Sequence, residues 1–453
     1  MAVMAPPGPR QSWLRGNLGD FQRDRLAFLT ECARTHGDMV SIRLGPRRII
    51  LVNHPDFIEQ VLLTHNSSFR KHFALRLNPL VFGNGLLTSE ADFWLKQRRL
   101  IQPTFTRGRI ASYAPAMVEA TTRMLDGWTP GQSREIGNEM MRLTLAITAR
   151  TLFGSDVDNE AADIAHALQV LQENFLVRFQ SLVVMPFWVP TPQNLRIRRV
   201  VRRLDEILFG FIHKRRQQGT QGEGSDLLSL LLGARDEDGS QMSDQQVRDE
   251  AMTLFLAGHE TTALALSWTW YLLSQHPEVE EQLAAEVREV LGGRLPTAQD
   301  VSRLTFVEQV VLESMRLFPP VYIIGREAVT SCEIGGFRIA RGTTVLMSEW
   351  VLHRDPRFFE QPEVFRPERW TANFQKKLPK FAYFPFGGGP RVCIGNTFAM
   401  MEMSLVLATI AQRYRFTMQA GHQVQPWPGF TLRLMPGIPA PLLSRSPPAS
   451  AGR

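Results

Sequence analysis

The sequence predicts a mainly α fold, one large helical body carrying a small β-rich lobe. Three observations predict it. From about residue 55 to 320, apolar residues recur at helical spacing in segments separated by proline and glycine. Residues 39–52, MVSIRLGPRRIILV, alternate and turn at Gly45-Pro46, which reads as a β-hairpin. From about 321 to 350 the character changes to short strands with turns, as in CEIGGFRIARGTTVLM, before proline-rich loops and a last helix at about 396–413.

Within the helical body, VVMPFWVPTPQN (183–194) is a proline-rich break between two helices. NLRIRRVVRRLDEILFGFIHKRRQQ (194–218) is a basic amphipathic helix, read as a solvated outer face in preference to a membrane-surface helix. QQGTQGEGSD (217–226) is a polar connector. AMTLFLAGHETTALALSWTWYLLSQH (251–276) is apolar on all sides, so it runs through the middle of a protein or through a bilayer. His259 and Glu260 at its midpoint would be costly in lipid, which favours the protein interior. No internal repeat and no long linker divides the chain, so residues 1–453 are expected to form a single domain.

Composition narrows the function. The 453 residues are 44% hydrophobic and 21% charged, as in an ordinary folded protein. The net charge of +7 is carried by scattered Arg and Lys, with no dense basic tail. Nucleic acid is therefore excluded as the expected partner, and an acidic protein or an anionic surface is favoured. Three distant cysteines, Cys32, Cys332 and Cys393, make no disulfide framework and point to a reducing, cytoplasmic location. The start, MAVMAPPGPRQSWLRGN, has neither a signal-peptide core nor an apolar span, so no transmembrane anchor is expected.

Cys393 lies in FPFGGGPRVCIGNTFA (384–399). By itself it reads as a small buried hydrophobe. A nucleophile would want a paired histidine and a zinc site three more ligands, and neither is spaced for it. The remaining option is a single axial thiolate to haem iron. Gly387, Gly388 and Gly389 permit turns that bring amides close to a sulfur. Those amides, the following helix N-terminus and Arg391 stabilise an anion. Gly395 lets the backbone lie against a flat macrocycle.

Phe386, Gly389, Arg391, Cys393 and Gly395 fall at the spacing F-x-x-G-x-R-x-C-x-G, followed by Phe398-Ala399. This resembles the haem-binding loop of the cytochrome P-450 monooxygenases, of the soluble bacterial type. AGHETT, Ala257 to Thr262, resembles the oxygen-activation segment of that family. An acid and an alcohol adjacent in mid-helix are poor helix material, and alone they read as a salt bridge and a back-bonded threonine. The resemblance implies that Thr261 hydrogen-bonds dioxygen while Glu260 links it to solvent as proton source. ESMR sets Glu313 and Arg316 on one helix face, and FRPERW adds Arg369, with Trp370 standing where phenylalanine is more usual in the family, a mild departure. Together they resemble the family's buried Glu-Arg-Arg triad, which supports the cysteine loop. WLKQR sets Trp94 and Arg98 at i, i+4, a pair that in this family binds a haem propionate. Arg326, His353 and Arg391 are implied as further propionate partners.

The resemblance spans nearly the whole chain. It implies a triangular helical prism with small β-sheets, holding haem b where the central long helix faces the cysteine loop. It also implies insertion of one atom of O2 into an unactivated bond, a hydroxylation or epoxidation, with two electrons and two protons consumed. The substrate pocket is expected to include Phe255, Ala257, Val321, Tyr322, Ile323, Ile324, Phe430 and Thr431. Their character suits an apolar small molecule, a lipid, terpenoid or steroid. Without a flavin or iron–sulfur segment, electrons from NAD(P)H are expected through ferredoxin and ferredoxin reductase or a flavodoxin-type donor. The donor would dock near Arg98, Arg99, Lys376, Lys377 and Lys380 on an expected monomer. Two other readings stand beside this one, a haem-thiolate sensor and a rearrangement or peroxide-using enzyme. The intact Glu260–Thr261 pair disfavours both.

Overall fold

A computed structural model describes residues 6–445 apart from 73–78, 155–159, 161–162, 165, 168–169, 172–173, 175–184, 219–225, 238 and 419–420. The longer helices are α1 (Arg25–His36), α2 (Ala91–Ile101), α3 (Arg107–Asp126), α4 (Ile136–Phe153) and α5 (Pro192–Gln218). They continue with α6 (Asp244–Gln275), α7 (Pro277–Leu291), α8 (Thr305–Leu317) and α9 (Asn396–Ala411). The strands are β1 (Met39–Leu44), β2 (Arg47–Val52), β3 (Phe69–Lys71), β4 (Ser133–Glu135), β5 (Ile324–Ala328) and β6 (Cys332–Ile334). After them come β7 (Phe337–Ile339), β8 (Thr344–Met347), β9 (Tyr414–Phe416), β10 (Gln425–Pro428), β11 (Leu432–Met435) and β12 (Pro439–Ser444).

The chain folds into two compact units, each assembled from segments distant in sequence. The first comprises Met1–Leu77, Leu312–Cys393 and Pro426–Arg433. Its five-stranded sheet has the order β1-β2-β8-β5-β3. The predicted hairpin pairs Met39 with Val52 and Leu44 with Arg47, and Gly45 takes the positive φ of 60° that the turn requires. Strands β2 and β8 run parallel, Ile49 opposite Thr344, and their apolar ends are buried against Ile58, Leu62, Phe381 and Phe384. Strand β3, with Phe69 opposite Ala328, lies within the stretch read as helical. Three residues with two charges carry no usable period, and only the partner strand makes them extended. The same correction applies to β4.

The second unit comprises Asn78–Val311, Ile394–Gln425 and Leu434–Arg453. In it α6 packs along α4 and also meets α5, α7 and α9, while α3 packs on α9. Helix α6 begins seven residues before the predicted start, because Ser243 and Gln246 form a reciprocal capping box. From Thr262 to Trp270 every residue of α6 is buried, as its uniformly apolar pattern requires. Among the described residues no helix is long and apolar enough to cross a membrane. Strand β12 closes this unit, pairing with β4 at Pro439–Glu135 and with β9 at Leu442–Phe416. The break at 183–194 is described from Met185, a loop up to the start of α5. Most of the connector at 217–226 lies outside the described residues.

Glu313 organises the first unit around a buried charge. Its carboxylate accepts two bonds from Arg316, from Nε at 2.8 Å and Nη2 at 2.9 Å. Arg369 Nε donates at 2.9 Å, the Arg366 amide at 3.0 Å and the Trp370 indole at 2.8 Å. The side chains of Glu313 and Arg316 have no exposed surface. Arg316 spends its remaining donors on the carbonyls of His353, Pro362 and Val364. A buried ion pair persists only with such complete satisfaction. The predicted triad thus exists, and Trp370 adds a donor to it that the sequence reading treated as a neutral departure from phenylalanine.

From this cluster a line of bonds reaches the cysteine loop. Arg316 holds the carbonyl of His353, and His353 Nε2 accepts from the Phe384 amide at 3.0 Å. The Phe384 carbonyl in turn accepts from Gly387 N at 2.8 Å. His353 has no exposed surface, and its ring lies against Tyr383 and Phe384. Burial, with Arg316 and Arg354 nearby, holds its pKa well below the usual value, so the ring is a neutral acceptor. This corrects the expectation that His353 meets a propionate: an enclosed ring already bonded to a backbone amide presents nothing to a ligand. Glu313→Gln, which leaves two arginines buried without their counter-charge, is expected to cost about 3 kcal/mol or more in denaturant unfolding. Trp370→Phe, which removes one bond to a charged group, is expected to cost about 2 kcal/mol.

Candidate active site

The loop around Cys393 is shaped by two close approaches. Gly389 has φ +67°, and a Cβ there would lie 2.0 Å from the Leu62 carbonyl oxygen. A Cβ on Gly388 would lie 2.2 Å from the Phe381 ring. Only glycine fits at either place. The turn Gly389–Arg391 closes with Val392 N donating to Gly389 O at 3.1 Å, and Cys393 N donates to Phe386 O at 2.9 Å. Predicted residues Phe386 and Cys393 are therefore partners through the backbone, with Arg391 half-buried beside them.

Cys393 is exposed, in contrast to the other two cysteines. Cys32 is buried in the packing of α1, and burial pushes its thiol up to about 12. Cys332 is half-buried in β6, its thiol also raised by burial. Cys393 is thus an exposed residue on a loop of tightly fixed backbone, whereas the other two cysteines are packing residues.

The acid–alcohol segment lies on α6, within the second unit. Helix α6 runs unbroken through it, and both threonines bond one turn back: Thr261 Oγ1 donates to Ala257 O at 2.8 Å, Thr262 Oγ1 to Gly258 O at 2.9 Å. Ala257 is exposed and Gly258, Glu260 and Thr261 are half-buried, an opening in α6 beside the buried run from Thr262 to Trp270. His259 faces inward: it is buried, stacks on Phe255 with ring centroids 5.9 Å apart, and its Nδ1 lies 3.1 Å from Phe255 O. The His259 carbonyl accepts from Thr144 on α4 at 2.9 Å, a tie with no local signal in the sequence.

Trp94 and Arg98 share a face of α2, the indole buried and the guanidinium half-buried. Arg326 is half-buried on β5, its Nη1 donating to Gly325 O at 3.0 Å. Gly395 caps α9. Of the expected pocket residues, Ala257 and Phe430 are exposed and Val321, Ile323 and Ile324 half-buried. Three do not face open space. Phe255 is enclosed by Phe153 and His259, Tyr322 is buried with its hydroxyl on Gly429 O at 3.1 Å, and Thr431 is 3% exposed. They are corrected to packing residues.

Sequence reasoning missed two features. Asp249 and Glu250, near the start of α6, accept from the amides of Asn84 and Leu86, both at 2.8 Å, and so fix that loop. Glu349 and Glu402 are completely buried, and burial holds both carboxyls well above the usual range. A lone acid in the apolar run AMMEMSL is a visible signal for Glu402.

Comparison with known proteins agrees with this geometry. The family model described as Cytochrome P450 matches residues 6–440. Cyclooctatin synthase of Streptomyces melanosporofaciens is 39% identical over 93% of this chain and 92% of its own. Cyclooctat-9-en-7-ol 5-monooxygenase from the same organism is 37% identical over 92% and 89%. Pentalenene oxygenase of Streptomyces avermitilis is 33% identical over 91% of both. The crystal structure of the cytochrome P450DA haem domain superposes with a TM-score of 0.90 at 27% identity, covering 99% of each chain. With a glycine-bound loop presenting an open thiol and a family match along nearly its whole length, the chain belongs to the cytochrome P450 family of haem monooxygenases.

Proposed function

We propose that this monooxygenase acts on an apolar terpenoid, and that the residues above divide the work as follows. The observation that carries the substrate class is the likeness to two relatives named for cyclooctat-9-en-7-ol and pentalenene, an unsaturated alcohol and an alkene by their names. The apolar character of Ala257, Val321, Ile323, Ile324 and Phe430 supports it.

The residues present fit haem b. The sulfur of Cys393 is open, and the loop that carries it has no room for side chains at Gly388 and Gly389. Haem ligated by a thiolate supplies, when bound, the activation of O2 by which one atom enters the substrate and the other leaves as water. Cys393 would be the iron ligand, with Phe386 and Gly395 shaping the loop on either side. Trp94, Arg98, Arg326 and Arg391 would hold the propionates by charge-assisted bonds. Glu313, Arg316, Arg369 and His353 keep the loop in place from behind. Glu260 takes a proton from water at the α6 opening. The Thr261 hydroxyl, on releasing Ala257 O, would pass its proton on and regain one from Glu260. The two compact units work together as one cytochrome P450 domain, monomeric and cytoplasmic. Electrons come from NAD(P)H through ferredoxin and its reductase, or a flavodoxin-type donor. The residues expected to contact the donor are Arg98 and Arg99 in the second unit and Lys376, Lys377 and Lys380 in the first.

Three measurements test this reading. Reduced wild-type protein is expected to give the thiolate-type spectral shift with carbon monoxide, and Cys393→Ser to lose it. In Thr261→Ala, product formed per reductant consumed is expected to fall by about tenfold, with the difference appearing as peroxide. Full coupling in that variant would remove Thr261 from the proton path. Cyclic terpenes and their alcohols are expected to shift the spin state of the ferric haem and to be oxidised with surrogate redox partners. A response confined to straight-chain fatty acids would overturn the substrate class.

A further inference from the structure

A rigid apolar knuckle stands at the beginning of the described chain, outside the site. Trp13 is 86% exposed and Leu14 74%. Both lie in a tight loop whose ends bond to each other, Ser12 N to Gly16 O at 3.1 Å and Gly16 N to Ser12 O at 2.9 Å. The loop is fastened to the β1–β2 hairpin. Gly16 bridges Leu44, Asn17 N donates to Arg43 O at 2.6 Å and Gly45 N donates to Arg15 O at 3.1 Å. The Arg43 guanidinium donates to the carbonyls of Ser12 and Trp13. Upstream, Ser41 N donates to Pro7 O at 2.7 Å, and Gly8 lies so close to β1 that a Cβ would be 2.0 Å from Ser41 O. The backbone is thus pinned at several points while its two large apolar side chains project into water. Ordering this element on a partner would require little further loss of chain freedom.

The two segments that form the knuckle and its hairpin are basic, with Asp20 the first acid to follow the loop. Residues 6–19 and 39–55 contain Arg10, Arg15, Arg43, Arg47 and Arg48, and no Asp or Glu. Arg10, Arg15, Arg47 and Arg48 are exposed. The bond from Gly45 to the Arg15 carbonyl sets the knuckle at the same hairpin end from which Arg47 and Arg48 start β2. The complement of such a patch is apolar within and anionic at its surface. A bilayer of anionic lipid has that layering: Trp settles at the headgroup level, Leu enters the acyl boundary, and arginines meet phosphates.

We propose that the Trp13–Leu14 loop, with its ring of arginines, docks the protein peripherally on an anionic membrane surface. The proposal is independent of the substrate assignment. The full-length protein is sedimented with vesicles of phosphatidylglycerol and, separately, of phosphatidylcholine. Binding to the first and little to the second is expected. Trp13→Ser with Leu14→Ser, and separately Arg15→Glu with Arg48→Glu, are each expected to lower the bound fraction about tenfold. Circular dichroism and melting temperature should stay unchanged, since all four side chains are exposed. Brominated lipid is expected to quench a component of the wild-type fluorescence that is missing in Trp13→Phe. Equal sedimentation of wild type and Trp13→Ser/Leu14→Ser would overturn the proposal. So would failure of the wild type to bind phosphatidylglycerol. A dimer in gel filtration that the double serine variant splits, without vesicle binding, would assign the knuckle to a second copy of the chain.

Discussion

The carboxylate of Glu313 is the point on which the first unit turns. It sits where no water reaches and collects donors from two arginines, an indole and a backbone amide, drawn from α8 and from the segment around residue 369. Removing a charge from water costs several kcal/mol, and only a full set of short bonds offsets it. The arrangement therefore admits one geometry. Because Arg316 also holds the His353 carbonyl, and His353 the Phe384 amide, that geometry is passed along to the loop that presents Cys393. The thiol's position is a downstream consequence of a salt bridge that does no chemistry.

The acid–alcohol segment of α6 follows a different logic. Threonine in mid-helix ordinarily satisfies its hydroxyl on a carbonyl one turn back, and Thr261 and Thr262 both do so. What distinguishes Thr261 is exposure: it borders the opening at Ala257 and Gly258, whereas Thr262 is buried. The same local chemistry thus leaves one hydroxyl able to rotate toward a ligand and locks the other into the helix.

Much of this was legible in the sequence, for identifiable reasons. The hairpin at 39–52 announces itself through alternation and its turn, the central helix through an unbroken apolar run, and the cysteine loop through glycines at fixed spacing. The failures are equally physical. β3 and β4 are too short to carry a period and exist by pairing alone. Phe255, Tyr322 and Thr431 lie next to less buried residues, but sequence adjacency does not say which way a side chain turns, and nothing local in LHRDP shows that His353 turns inward. Along β5 and the segment before it, Tyr322 is buried while Val321 and Ile323 are not. Trp370 looked like a tolerated exchange for phenylalanine, because a hydrogen bond to a carboxylate dozens of residues away leaves no local trace.

The neutral ring of His353 has one further consequence. It accepts the Phe384 amide only while unprotonated, and the arginines around it oppose a second proton. An unfolded chain has no such constraint, so stability begins to drain away as pH drops below the ordinary histidine range and continues to do so until the ring is charged. Once charged, it turns from acceptor to donor, facing an N–H that is also a donor. Acid should therefore strike first at the strut behind the cysteine, loosening the grip on the prosthetic group ahead of general collapse.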